Sequence, residues 1–216
     1  MPTTTMAAAT YRVVGREVEV RSLWAGDSRV HVLEPHHGLV ALSRDHTEEQ
    51  DALAQLRRDP PMTNMLNASG DFFVDSAHQR LPLPCVLVCA TDGFFGYVDT
   101  PHMFELLLLE SLEQATNEEE FAAGLERRVR SYTGDDATLA AVSLGFDTFD
   151  AMRFAFRSRL HALYTELAPP HEGAAEEELR RWQEEAWLRY RPTYASRMPR
   201  EREETSGRST TWSATT

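Results

Sequence analysis

The run Cys85-Val86-Leu87-Val88-Cys89-Ala90-Thr91-Asp92-Gly93 sets apolar residues in unbroken succession and then stops at an Asp-Gly pair. A short continuous apolar segment closed by a turn signal reads as a strand in a sheet interior. Pro84 to Thr91 is therefore expected to be an interior strand that delivers Asp92 to the end of a sheet. Upstream, Val18 and Val20 alternate with Glu17, Glu19 and Arg21 before Leu23-Trp24-Ala25, which predicts a strand over 11–25. Gly26-Asp27-Ser28 predicts a turn, Arg29 to Leu33 a strand returning as a hairpin, and Leu39 to Leu42 a third strand. Strands this close in sequence predict an antiparallel meander.

Residues 43–80 are polar and mixed, with a helix expected from Glu48 to Arg57, capped by Thr47 and ended by Asp59-Pro60-Pro61. Thr100-Pro101 marks a helix start, filled by Phe104 to Leu112. Asn117 with Glu120 predicts the cap of a second helix carrying Phe121, Leu125 and Val129. Ala137 to Leu144 reads as a further strand. The order βββ…βααβ predicts an α+β fold with antiparallel sheet.

After Gly145 the pattern changes. Phe149, Met152, Phe156, Leu160, Leu163 and Leu167 repeat at intervals of three and four, an amphipathic helix. Pro169-Pro170 breaks it, and Leu179, Trp182, Ala186 and Tyr190 continue on another helix. The expected organisation is a body over 1–145, a helical extension over 146–193 and a disordered tail over 194–216.

The chain has 216 residues, 42% hydrophobic and 26% charged, with a net charge of -12. This is globular composition. Acidity argues against nucleic acid or an anionic membrane as a partner. All 22 basic residues are arginine, and isoleucine is absent, a skew that reads as GC-rich, bacterial coding. Cys85 and Cys89 on one strand stand about 13 Å apart, beyond the roughly 7 Å that a disulfide allows between Cα atoms. They are expected as free thiols in a reducing compartment. No signal peptide pattern and no apolar run of about 18 residues is present, so the expectation is a cytoplasmic protein.

No glycine-rich phosphate loop, His-Glu-x-x-His or nucleophile elbow occurs. The chemistry-bearing candidates are aspartates where apolar strands meet turns: Asp27, Asp92, and the Asp135-Asp136 pair before Ala137. Carboxylates from separate strand ends can supply oxygen ligands to Mg²⁺ or Mn²⁺. The same residues are also ordinary turn formers. Asp27 has its own structural alternative, accepting backbone N–H bonds in a tight turn with Arg29 as partner. His36-His37 reads as a surface pair in a Pro/Gly turn rather than a metal site, and His46 reads as structural. So do Arg127, Arg128 and Arg130 on a solvated helix face.

The words around these aspartates carry a resemblance. Gly26-Asp27-Ser28-Arg29, Leu42-Ser43-Arg44-Asp45-His46, Asn64-Met65-Leu66, Ala90-Thr91-Asp92-Gly93 and Gly134-Asp135-Asp136-Ala137-Thr138 follow one another in the order of similar segments in the type 2C metal-dependent serine/threonine protein phosphatases. The resemblance spans roughly 3–145. It implies an antiparallel β-sandwich flanked by helices, with Mg²⁺ or Mn²⁺ activating a water against phosphoserine or phosphothreonine in a phosphoprotein substrate. It implies that Asp92 and Asp135 hold the metal pair and that Asp27 is a further ligand. Asp136, where the family has Asn, is an alternate, and no catalytic side chain is implied. Residues 1–216 contain no Asp-Gly-His-Gly, the family segment whose aspartate bridges both metals. The expectation is weakly bound metal, an incomplete sandwich and a bared sheet edge. The alternative is a non-catalytic module that binds a protein partner through its C-terminal helices, or a fragment needing the missing segment.

Overall fold

The structure, a computed structural model, describes residues 2–171 and 173–201. The tail expected from 194 lies outside them from residue 202 onward. Two antiparallel sheets stack face to face, and helices cover the outer face of one. The four-stranded sheet has the order β5 (Gly38–Ala41), β4 (Arg29–Glu34), β8 (Cys85–Ala90), β9 (Leu139–Leu144). The three-stranded sheet has the order β2 (Met6–Val14), β3 (Glu17–Ala25), β7 (Asp75–Pro82). A small pair joins β1 (Thr3–Thr4) to β6 (Leu66–Asn67).

The period of two explains the layering. On β4, Val30 and Val32 enter the core between the sheets, where they meet Val18, Val20 and Leu81. Leu33, from the opposite face, enters the core beneath the helices. On β8, Cys85 and Leu87 face the first core, while Val86, Val88 and Ala90 face the second. The interior strand read from 84–91 is thus buried on both faces, and both cysteines are free.

Gly26 corrects the expected meander. Its φ of +86° turns the chain out of β3 and into the other sheet. β3 pairs with β2 and β7, whereas β4 pairs with β5 and β8, so β3 and β4 form no hairpin. Residues 11–14 belong to β2, which returns into β3 through Gly15.

The helices are α1 (Ala52–Arg58), α2 (Asp92–Phe95), α3 (Pro101–Gln114), α4 (Glu118–Val129), α5 (Phe149–Glu166) and α6 (Glu176–Tyr194). α1 starts four residues later than the sequence predicts. Asp51 Oδ1 caps it by accepting from Leu53 and Ala54 N–H, while Thr47 instead donates to the Glu49 carbonyl. α4 is capped by Asn117 as expected, but Glu120 reaches past Asn117 to the Thr116 N–H.

The stripe of α5 is covered within the chain: Met152, Phe156, Leu163 and Leu167 join Phe104, Trp187 and Tyr190 in the core beneath the helices. Glu105, fully buried, ties this layer together. It accepts from the Leu39 N–H of β5, from both Nε and Nη2 of Arg159 and from the Tyr190 hydroxyl. The β5 edge is therefore capped by side chains. The opposite edge, β9, pairs only with β8 among the described residues, and Ala140 to Ser143 are exposed. No helix of the described residues is long and apolar enough to cross a membrane.

Candidate functional site

Asp27, Asp92 and Asp135 lie along one rim where β3 passes into β4, where β8 passes into α2, and where the chain enters β9. Each is set by a local device. Gly26 donates its N–H to His46 Nδ1, which also receives Asn64 Nδ2. His46 Nε2 then faces Asp75 at 3.2 Å. These bonds fix the turn holding Asp27 and make His46 a buried structural residue, as the sequence suggested. Thr5 and Ser28 hydroxyls close the other side at 2.7 Å.

Asp92 opens α2 directly after β8. The end of β8 is clamped to the entry of β9 by Thr91 N–H to the Thr138 carbonyl and by Thr138 N–H to Thr91 Oγ1, at 3.0 and 2.9 Å. Gly93 lets the two segments touch. A Cβ on it would lie 2.5 Å from the Asp136 carbonyl oxygen. The Asp135 carboxylate turns back on its own loop, accepting the Asp136 N–H at 2.7 Å. Asp135 and Asp136 are exposed, and Asp27 and Asp92 are half-buried.

Negative charge gathers here, offset only in part by the Arg29 charge and by backbone hydrogen bonds. Burial, then Asp92 and Asp45, push the Asp27 carboxyl up to about 6. Burial, then Asp135, raise Asp92 above the ordinary carboxylate range. Asp59, at the left-handed end of α1, also presses on Asp92, a contribution the sequence reading missed because Asp59 looked like a helix stop alone. Backbone hydrogen bonding and the Arg29 charge do hold the Asp27 carboxyl down in part, as the structural alternative supposed, but the Arg29 guanidinium makes its hydrogen bonds elsewhere. It forks onto Asp45, with Nε 3.0 Å from each oxygen and Nη2 2.6 Å from Oδ2.

The donor chemistry of the rim suits a hard divalent cation, since crowded like-charged carboxylates gain from a shared counter-ion. The arrangement does not complete a metal centre. Among the described residues no three His, Cys, Asp or Glu side chains converge where they could hold one ion. The described residues do not by themselves fit a two-metal site, and no reaction step follows from them alone.

The likeness to solved structures is to phosphatases. A variant of a bacterial serine phosphatase shares the fold with a TM-score of 0.50 at 16% identity, over 66% of this chain and 59% of that one. The Mycobacterium tuberculosis serine/threonine phosphatase PstP/Ppp aligns at 17% identity and a TM-score of 0.47, over 64% of this chain and 60% of that one. The catalytic domain of PstP in complex with two manganese ions gives 17% and 0.43, over 64% and 58%. The fold, an α+β sandwich with antiparallel sheets, is thus shared with that bacterial serine phosphatase variant. The chain spans about three-fifths of the length of these structures. No protein-family model and no curated protein matches it.

Proposed function

We propose that this chain is a phosphatase-like protein whose Asp27, Asp92 and Asp135 form part of a Mg²⁺ or Mn²⁺ site, with Asp136 beside it. The observation that carries the reading is the run of carboxylates, Asp27 pressed by Asp92 and Asp92 by Asp135, at the ends of strands from one phosphatase-type fold. The substrate class of such a site is a phosphoserine or phosphothreonine protein. Because too few ligands converge, residues 1–216 alone hold the cation weakly and do not turn over phosphoester, which makes the chain a non-catalytic module in isolation. Assaying p-nitrophenyl phosphate and a phosphothreonine peptide with Mn²⁺ tests this. Turnover by the wild-type chain that Asp92→Asn removes contradicts it.

A second reading is favoured by the open edge of β9. A strand added there would stand beside Asp135 and Asp136 and could bring further oxygen ligands. On this reading, supplying a segment with Asp-Gly-His-Gly restores turnover, and Asp92→Asn abolishes the restored activity. An extended chain that folds but stays inactive argues for the non-catalytic module.

A further inference from the structure

Both sheets of the sandwich end on the same flank. β2 is the edge of one and β9 the edge of the other, each paired on one side alone among the described residues. Cys85 and Leu87 of β8 face the core between the sheets. Their partners on β9 are Leu144 and Val142, and directly opposed residues share a face. Val142 therefore faces inward, yet it is 40% exposed. The same holds on the other sheet. Tyr11 and Val13 of β2 pair with Val20 and Val18 of β3. Val20 and Val18 are 1% and 0% exposed, whereas Tyr11 and Val13 are 47% and 52% exposed. Equal height along the strands with unequal burial puts the opening at the flank, not at the strand ends.

Sheets guard such an edge with a charge, a proline or a bulge. β9 has none of these. Ala137 to Phe146 holds no charged residue and no proline, in a chain that is 26% charged. Its register with β8 runs unbroken from Leu139 to Leu144. The strand also complements itself. Two β9 strands related by a two-fold axis at Val142 set Val142 against Val142 and Ala140 against Leu144 on the inner face. On the other face Ala141 meets Ser143. Small side chains oppose the large one, and no like charges meet. The pairs Val142 with Leu87 and Leu87 with Val32 lead into the core that holds Val18 and Val20. The axis thus passes at about the height of Tyr11 and Val13, and both copies present these side chains to the same seam. A two-fold contact of this kind uses one patch twice.

We propose that β9 pairs antiparallel with β9 of a second copy of this chain, joining the two four-stranded sheets into one, with Tyr11 and Val13 of both copies flanking the seam. The proposal does not depend on the cation reading. A segment carrying Asp-Gly-His-Gly is the competing occupant of the same edge.

Sedimentation equilibrium over a range of concentrations, on the wild-type chain and Val142→Lys, tests this. The wild type is expected to become dimeric as concentration rises, and more readily with added salt. Each copy carries a net charge of -12, and screening weakens the repulsion between copies. Val142→Lys sets like charges opposite each other across the axis. It is expected to stay monomeric while keeping the wild-type circular dichroism spectrum. Position 142 also reports the register directly. Val142→Cys is expected to give a disulfide-linked dimer on mild oxidation, since residues opposed across a strand pair stand within reach of each other. Phe154→Cys, on the exposed face of α5, is not. A wild type that is monomeric at every concentration overturns the proposal, as does a dimer that Val142→Lys leaves intact or that Val142→Cys fails to cross-link. A monomer whose β9 amides gain exchange protection only when the Asp-Gly-His-Gly segment is added overturns it in favour of that segment.

Discussion

Gly93 and Asp136 meet backbone to backbone, so closely that a Cβ on Gly93 would stand 2.5 Å from the Asp136 carbonyl oxygen. That contact brings the loop of Asp135 against the start of α2 and places two acidic segments side by side. Gly93→Ala must push them apart. The expected cost is about 1–3 kcal/mol in urea unfolding, as for other overpacked sites. Gly134→Ala, with nothing within 4 Å of its Cβ, is expected to change little. Equal stabilities for the two variants would show that the contact is not tight.

The pH dependence of Asp27 follows from its carboxyl being raised to about 6. The folded state then prefers the protonated form more than the unfolded state does. The unfavourable contribution is fully present above the folded value, shrinks as pH falls through it, and vanishes below the ordinary aspartate value of about 4. Asp27→Asn is therefore expected to raise the melting temperature at pH 7.5 and by a smaller amount at pH 4.5. A variant that melts lower at both pH values would mean that the ionised carboxylate is stabilised in the fold.

Glu105 joins β5, α3, α5 and α6 from a fully buried position. Glu105→Ala leaves the half-buried Arg159 charge and the Leu39 N–H without their partner. The expected loss is about 3–5 kcal/mol, with a change in tryptophan fluorescence because α6 carries Trp182 and Trp187. A loss below about 1 kcal/mol would place the helical layer's stability in its apolar contacts alone.

Two phenylalanines of α5 separate core from surface. Phe156 is 2% exposed and Phe154 is 72% exposed. Phe156→Ala is expected to cost about 3–5 kcal/mol, and Phe154→Ala to stay within about 0.5 kcal/mol. Chemical denaturation of both variants checks this, and similar losses would contradict the assigned face.

Much of the fold was legible because its strongest elements carry their own signals. The apolar run at 85–90, the Thr100-Pro101 start and the stripe from Phe149 to Leu167 each form the element their pattern dictates. What stayed hidden depends on partners far along the chain. β7 alternates burial, but its inward side is Asp75, Ala77, Gln79 and Leu81, of which only Leu81 is a large apolar residue, so the sequence shows little contrast. The turn at Gly26 looked like a hairpin because local sequence cannot tell which sheet a strand joins. In the candidate site, the aspartates were visible and their supports were not. Arg29 finds Asp45 and Tyr194, sequence separations of 16 and 165 residues, and no spacing rule connects them.

The most direct test of the central claim is calorimetric titration of the chain with Mn²⁺, wild type against Asp92→Asn. The account predicts weak binding, with a dissociation constant of about 10⁻⁴ to 10⁻³ M as for ligand-poor oxygen sites, and its loss in the variant. Two tight sites, or binding that Asp92→Asn leaves unchanged, would contradict it.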